Sequence, residues 1–527
     1  MLVGTDLKGR RFAERLLPSV ASLVWCAVLL SNQAPRLIGK RLSGDGDFAQ
    51  HLTLGRLMLE QRAILKVDPT LYSVGPLPWF GHEWLTELIF AVTHARLGLI
   101  GPVLLVSVLL ASACALMLRE AQDQTEAAWP ALIAFGLAAP LLVPHLFIRP
   151  HIVSWFFAIC WQRRLNLWAR GDIDWRRWLL FSLPLMVLWC NLHGGFLLGF
   201  VLLALEGVAL ACSVVFGSPE ARAPALRRAA QLGLGALLVL AASGLNPFGF
   251  GLHWHLLEHL SRAEMLHHVN EFKSPDFFVI DNKPLLIWIV LSFALAAASH
   301  GAGAGQQRPL HARLLQLALL WMTLSSQRSA PLFALLTAPI VAQDLARVLR
   351  GATSAPGIWG RLARAVSDSS TRLALQDRAR DGRVWGLVLL VILLIRAPSA
   401  NAELGFSSEM QPIAAVRYIR AHAATFRGHM FNSYAWGGYL AYELYPAQRC
   451  FISGMADYYG PELFFEYRTV ASLQRGWEQV LAKYRVDYVL FESNSPLASA
   501  LRLHADWREV YRDELAVIFL RRSAEAG

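Results

Sequence analysis

Charge is what this sequence lacks. Only 17% of its 527 residues are Asp, Glu, Lys or Arg, against about a quarter in a soluble domain. Paired thiols are missing too. Of six cysteines, Cys26, Cys114, Cys160, Cys190 and Cys212 lie inside apolar runs and Cys450 stands alone. With no CxxC pair, neither a disulfide framework nor a cysteine zinc site is expected, which leaves packing as their role. No P-loop, dinucleotide fingerprint or nucleophile elbow occurs, so ATP hydrolysis and serine hydrolysis find no support. The stretch "HEWLTE" (His82–Glu87) lacks the second histidine of the HExxH zinc motif.

Apolar residues are what the chain has. They make up 55% of it, with a mean hydropathy of +0.39. Apolar runs near the length needed to cross ~30 Å of hydrocarbon recur through the first 400 positions. The fold class is therefore mainly α, a polytopic helical membrane protein. The net charge of +11 does not require a nucleic-acid partner, because the basic residues sit in short loops between apolar runs.

Eleven spans are expected, near 16–33, 99–118, 129–147, 151–168, 178–192, 194–216, 229–246, 284–299, 312–326, 329–347 and 384–396. The first follows Lys8, Arg10, Arg11 and Arg15. It has no convincing small-residue cleavage site, so it reads as an uncleaved first span rather than a signal peptide. With a cytoplasmic N-terminus, the cluster Arg163, Arg164, Arg170, Arg176 and Arg177 falls inside. So does the stretch 347–383, with eight arginines against three aspartates, whereas 248–283, with five acids and three bases, falls outside. The acidic loop 119–128 is the exception. This alternation requires 84–98, which carries Glu87, His94 and Arg96, to be an interfacial or partly inserted helix. The long first outer loop, 34–83, and residues 401–527 then lie outside the membrane.

From Asn401 charge rises and the long apolar runs stop. Strand-like runs at Asp487–Ser493 and Leu515–Arg521, with helical patterns at Met410–His422, Pro461–Leu473 and Gly476–Tyr484, predict a small α/β domain over 401–527. "SYAWGGYLAYELYP" (Ser433–Pro446) reads as a tight backbone turn packed on a helix, or as an aromatic surface for a sugar or lipid head group.

"DGDFAQHLTLGRLMLE" (Asp45–Glu60), "DPTLYS" (Asp68–Ser73) and "HEWL" (His82–Leu85) together resemble the bacterial GT-C membrane glycosyltransferases, a group that includes aminoarabinose transferase and protein O-mannosyltransferases. "WCNLHGGFLLG" (Trp189–Gly199), "NPFGFGLH" (Asn246–His253), "EFKSPDF" (Glu271–Phe277), "QRSAPLFALLTAP" (Gln327–Pro339) and "WGGYLAYEL" extend the resemblance over most of the chain. The resemblance implies an enzyme of the bacterial inner membrane whose donor is a sugar on a polyprenyl phosphate. It also implies an acid early in the first outer loop that acts as catalytic base or orients the acceptor. The acceptor is an unidentified glycan, lipid or protein.

Asp45 and Asp47 are the acids in that position, with Glu83 as a second acid and His51 nearby. Asp45 and Asp47 are not separated as base at this point. A turn or helix N-cap is the other reading of the pair, and water-facing side chains the other reading of Glu83 and Glu87. Neighbouring carboxylates could also bind a divalent cation. The leaving phosphate calls for cations, and Arg149, His151, Lys273 and Arg328 lie at outer span ends or in outer loops. Asn191 and His193 share an outer turn, where capping is as good an account as catalysis. His253, His255 and His259 read as an amphipathic interfacial helix before a metal site. A lipid or sugar transporter, or a non-catalytic envelope assembly protein on the same scaffold, are the alternatives. Internal repeats, which a transporter often shows, are not found.

Overall fold

The computed structural model describes residues 16–44, 46–261, 268–301 and 310–522. Asp45, His267 and Arg308 lie outside the described residues. Helices α1 (Val20–Ser31), α2 (Pro35–Ser43), α3 (Asp47–Gln61), α4 (Trp84–Leu97), α5 (Ile100–Thr125), α6 (Ala128–Ala138) and α7 (His151–Arg170) open the chain. There follow α8 (Trp175–Leu192), α9 (Leu197–Phe216), α10 (Pro219–Ser243), α11 (Gly251–Ser261), α12 (Lys283–Gly301), α13 (Leu310–Ser325), α14 (Ala330–Ala352), α15 (Gly357–Ala379) and α16 (Arg383–Glu403).

Every one of the eleven expected spans falls on one of these helices. By length and composition, six are long and apolar enough to cross a membrane: Ile100–Thr125, Gly194–Phe216, Pro219–Ser243, Ile280–His300, Gln327–Ala352 and Arg383–Ala402. Val20–Ser31 and Ala128–Leu141 are shorter apolar helices. Helix α4 covers the ambiguous stretch with 14 residues. That is about 21 Å, short of the ~30 Å hydrocarbon core.

The remaining helices, α17 (Ile413–Ala421), α18 (Gly437–Leu444), α19 (Ala456–Ala471), α20 (Trp477–Lys483) and α21 (Pro496–Leu503), surround a four-stranded sheet. Its strands are β1 (His429–Asn432), β2 (Val486–Glu492), β3 (Trp507–Arg512) and β4 (Ala516–Arg521), in the order β1-β2-β4-β3. Strand β1 pairs parallel to β2, and β4 pairs antiparallel to both β2 and β3. The protein is thus a polytopic helical membrane protein with a small C-terminal α/β domain.

That domain does not build its core alone. Ala49, Leu54, Leu57 and Met58 of α3, with Leu65, Leu71 and Trp79 of the first loop, share one buried cluster with Phe431, Leu440, Phe451, Tyr488 and Ile518. Backbone bonds fasten the loop to the domain: Tyr72 N–H to Cys450 O at 3.1 Å and Cys450 N–H to Thr70 O at 2.9 Å. Two glycines allow the closest approach. A Cβ on Gly438 would lie 2.1 Å from Gly46 O, and one on Gly46 would lie 2.4 Å from Ala435 O. The Gly-Gly pair of "WGGYLAYEL" therefore serves close backbone packing, Gly438 against the start of α3 and Gly437 against Ile452 O, with a short 3-10 turn (Tyr434–Trp436) leading into α18.

Candidate active site

Two groups of ionisable side chains meet at this junction. The first is a chain of alternating charge. Asp47 opens α3 behind Gly46, whose φ of +76° suits glycine. The sequence left Asp47 as a possible N-cap, but the cap position is Gly46 and Asp47 is the first helical residue, where the positive end of the helix dipole favours a carboxylate. Its carboxylate is ion-paired with Arg149 Nη2. Arg149 Nη1 reaches both oxygens of Glu271, at 3.0 and 3.2 Å. Glu271 in turn faces Arg328 Nη1 at 3.6 Å.

Local structure places each member. Arg149 precedes α7, and Glu271 sits in a 3-10 turn (Asn270–Phe272). Arg328 sits in another (Gln327–Ser329), bound to the first by Gln327 N–H to Lys273 O at 2.9 Å. The Arg328 guanidinium lies over the Phe272 ring, 5.1 Å from its centroid. Burial alone would raise the Glu271 pKa, but Arg149 and Arg328 outweigh it and hold the carboxyl down to about 2. The C-terminal domain closes the other side. A Cβ on Gly454 would fall 1.8 Å from Asp47 Oδ1, so the backbone at Gly454 rests against the Asp47 carboxylate.

The second group begins one helical turn further on. His51 Nδ1 is 3.0 Å from Glu87 Oε1, and His51 Nε2 is 3.3 Å from Glu83 Oε2. Glu83 Oε1 also meets His193 Nε2 at 3.2 Å and His82 Nε2 at 3.7 Å. His193 Nδ1 accepts from Gly195 N–H at 2.8 Å and lies 2.8 Å from Ser154 Oγ. Trp189 Nε1–H donates to that same Oγ at 2.7 Å. With Nδ1 an acceptor, the proton of His193 sits on Nε2 and is aimed at Glu83. Glu83 is 9% exposed and Glu87 1%, which excludes the alternative reading of both as water-facing: they are held in by histidines. Burial lowers the His51 pKa, against the opposing pull of Glu83 and Asp47. Asp47 and Arg149 both act on His51, so the two groups form one electrostatic unit.

Among the described residues, a cation would find its ligands here. One ligand atom each from His51, Glu83 and Glu87 lie within 4.8 Å of one another. A nearly dry set of two carboxylates and an imidazole nitrogen fits a divalent ion of the zinc or manganese type. Among the described residues no such group forms at the other histidines. In α11, His253 Nε2 is 2.8 Å from Ser243 Oγ and His255 stacks on Phe80 at 4.9 Å.

The remaining candidates divide. His151 Nε2 donates to His145 O at 3.0 Å, which leaves its buried Nδ1 an acceptor, unable to donate to a phosphate oxygen. Lys273 is exposed and donates to Asn270 Oδ1 of its own turn at 2.8 Å, outside the charge chain. Asn191 accepts from Trp84 Nε1–H and donates to Val187 O and Leu245 O, a structural use of every amide group. Glu271 and Gly454 were not singled out from sequence, and His82 and Glu87 were noticed only as parts of "HEWLTE" and not as site residues. Glu271 left a signal, as an acid beside Lys273 in a motif already noticed, and Gly454 left none.

No family model and no curated protein matches the chain. Among solved structures it is similar to ArnT from Cupriavidus metallidurans in the apo state, at 15% identity over 99% of each chain, with a TM-score of 0.50. The same protein bound to undecaprenyl phosphate gives 16% identity over 94% of this chain and 97% of that one, with a TM-score of 0.49. The oligosaccharyltransferase of Archaeoglobus fulgidus in the apo form gives 14% identity over 90% of this chain and 69% of that one, with a TM-score of 0.53. The chain therefore has the fold shared by these two proteins, the GT-C fold.

Proposed function

We propose that this chain moves a sugar from a polyprenyl-phosphate carrier to an acceptor at the outer face of a bacterial inner membrane, with Asp47 as the base. The observation that carries this reading is the chain Asp47–Arg149–Glu271–Arg328, two carboxylates and two guanidiniums gathered where membrane helices and C-terminal domain meet. The outward orientation rests on the arginine distribution of the loops.

In the reaction the acceptor oxygen bonds to the anomeric carbon and Asp47 takes its proton. The bond from that carbon to the phosphate oxygen breaks, and its electron pair leaves on the lipid phosphate. The four side chains carry two negative and two positive charges, so they balance before a donor enters. A phosphodiester adds negative charge, and one guanidinium has to change partner. Arg328 suits that role. Its contact to Glu271 is long and its side chain is 34% exposed, whereas Arg149 is held between two carboxylates at 9%. Arg149 then orients Asp47, and Glu271 anchors Arg149.

Glu83, held by His193 and by His51, which lies one turn from Asp47 on α3, would position an acceptor hydroxyl. His51, Glu83 and Glu87 would hold a divalent cation, which when bound supplies positive charge for the leaving phosphate. The test is Asp47→Asn and Arg328→Gln in cells that make the glycan, read by mass spectrometry of envelope glycans. Asp47→Asn should remove one sugar from the glycan while the protein stays folded and membrane-bound. An unchanged glycan in Asp47→Asn cells would remove Asp47 as base.

A further inference from the structure

We propose that the end of the membrane domain remote from Asp47 carries a binding site for the phosphate headgroup of an anionic phospholipid, built from Arg119, Arg378, Arg380 and Arg383. Helix α16 sets the distance between the two sites. Its 21 residues span about 31 Å, one bilayer thickness. Just beyond its C-terminus, Ser407 N–H donates to Ser43 Oγ, on the Asp47 side. Its N-terminus carries Arg383, so the arginine corner lies in the opposite leaflet.

The corner is a cavity of about 340 Å³ lined by Arg119, Arg378, Ala379, Arg380, Asp381 and Arg383. Four guanidiniums face one carboxylate, and that carboxylate is taken: Asp381 pairs with Arg383 at 2.6 Å. Arg378 leans toward Glu126 at 3.4 Å. Among the described residues, Arg119 and Arg380 have no ion-pair partner. Like charges gathered at a cavity repel one another unless an anion enters, and the guanidinium fork matches a phosphate.

The surroundings select a lipid phosphate over a free one. Helix α15, tethered between α14 and α16, turns Gly360, Ala363, Ser370 and Ala374 toward the protein. On the adjoining flank Ile358, Trp359, Leu362 and Val366 are exposed. Arg361, Arg364 and Arg372 occupy the remaining arc at 100° per residue. This three-sided pattern is that of a helix lying in the interface plane. Exposed tryptophans accompany it: Trp359 on α15, Trp385 beside the cavity on α16, and Trp129, whose indole donates to Ser369 Oγ of α15. Such residues mark the headgroup level. Above the cavity, α16 leaves Val384, Leu387, Val388 and Val391 exposed, and protein buries only 6% of its apolar window. A phosphate in the arginine corner would thus have its acyl chains laid along bare α16. Basic pockets between spans hold anionic headgroups by this combination.

The experiment uses the purified full chain in detergent, titrated with phosphatidylglycerol or phosphatidylcholine and read by native mass spectrometry. Phosphatidylglycerol should be retained in preference, and ~1 M salt should erase the preference in the unmodified protein. Arg119→Gln with Arg380→Gln should weaken phosphatidylglycerol retention by about thirtyfold, roughly fivefold for each arginine. Arg119 is exposed and Arg380 half-buried, and both lie outside the donor site. Equal retention of the two lipids by the unmodified chain would overturn the proposal. So would a salt-independent preference, or a folded double variant that keeps it. Displacement of phosphatidylglycerol by millimolar inorganic phosphate would overturn the lipid assignment in favour of a free-anion site.

Discussion

Glu271→Gln keeps the shape of the side chain and removes its charge, and the structure sets the size of the effect. Two guanidiniums hold the Glu271 carboxyl at about 2, against an ordinary value of 4.5. At 1.36 kcal/mol per unit this is about 3.4 kcal/mol. A quarter of the side chain is still solvated, 26% by area, so about 2–3 kcal/mol is expected at neutral pH. The folded pKa is the lower one. The stabilisation is therefore complete above pH 4.5 and is lost as pH falls toward 2, with about 40% left at pH 3. The assay is chemical unfolding of unmodified and Glu271→Gln protein in detergent between pH 7 and pH 3. The unmodified protein should be the more stable at pH 7, and the gap should narrow by more than half at pH 3. A gap absent at pH 7, or constant with pH, would refute the pairing of Glu271 with Arg149 and Arg328.

Gly454→Ala pushes a methyl group into the Asp47 carboxylate, 1.8 Å from Oδ1. Transfer should fall by about a hundredfold or more while the unfolding midpoint moves little, since the clash is with a side-chain end; activity within twofold would show that Asp47 can shift without consequence. Gly438→Ala meets backbone instead, 2.1 Å from Gly46 O, and should cost about 1–3 kcal/mol of stability, measured by the same unfolding. Glu83→Gln should release divalent ions from the purified chain, read by elemental analysis. Equal metal content in both proteins would show that Glu83 is not a ligand.

The membrane architecture was legible because hydrocarbon imposes one requirement, a long apolar helix; all eleven expected spans fall on helices, and six of those helices meet the requirement by length and composition alone. Strands β2 and β4 were legible for the same reason, being apolar runs buried along nearly their whole length. Strand β3, "WREVYR", is polar and exposed over most of its length, and β1 has only four residues; neither carries a period that local reading can detect. The site was half legible. Asp47 and Glu83 followed from the resemblance carried by the first loop, and Arg149 and Arg328 from their places in short turns at span ends. Which cation of the outer loops turns inward did not. Lys273 and Glu271 are two residues apart, yet the turn at Asn270–Phe272 sends one to solvent and the other to Arg149. Nor did the sequence announce that the first loop completes the core of the C-terminal domain, because that pairing joins Thr70 to Cys450 across most of the chain.

The most direct test of the central claim follows the lipid product. Purified full-length protein, given a panel of polyprenyl-phosphate sugars and an envelope glycan extract, should release polyprenyl phosphate from one of them. Release should stop in Asp47→Asn protein that still binds the donor. Release that continues undiminished in Asp47→Asn, or no release from any donor by folded unmodified protein, would contradict it.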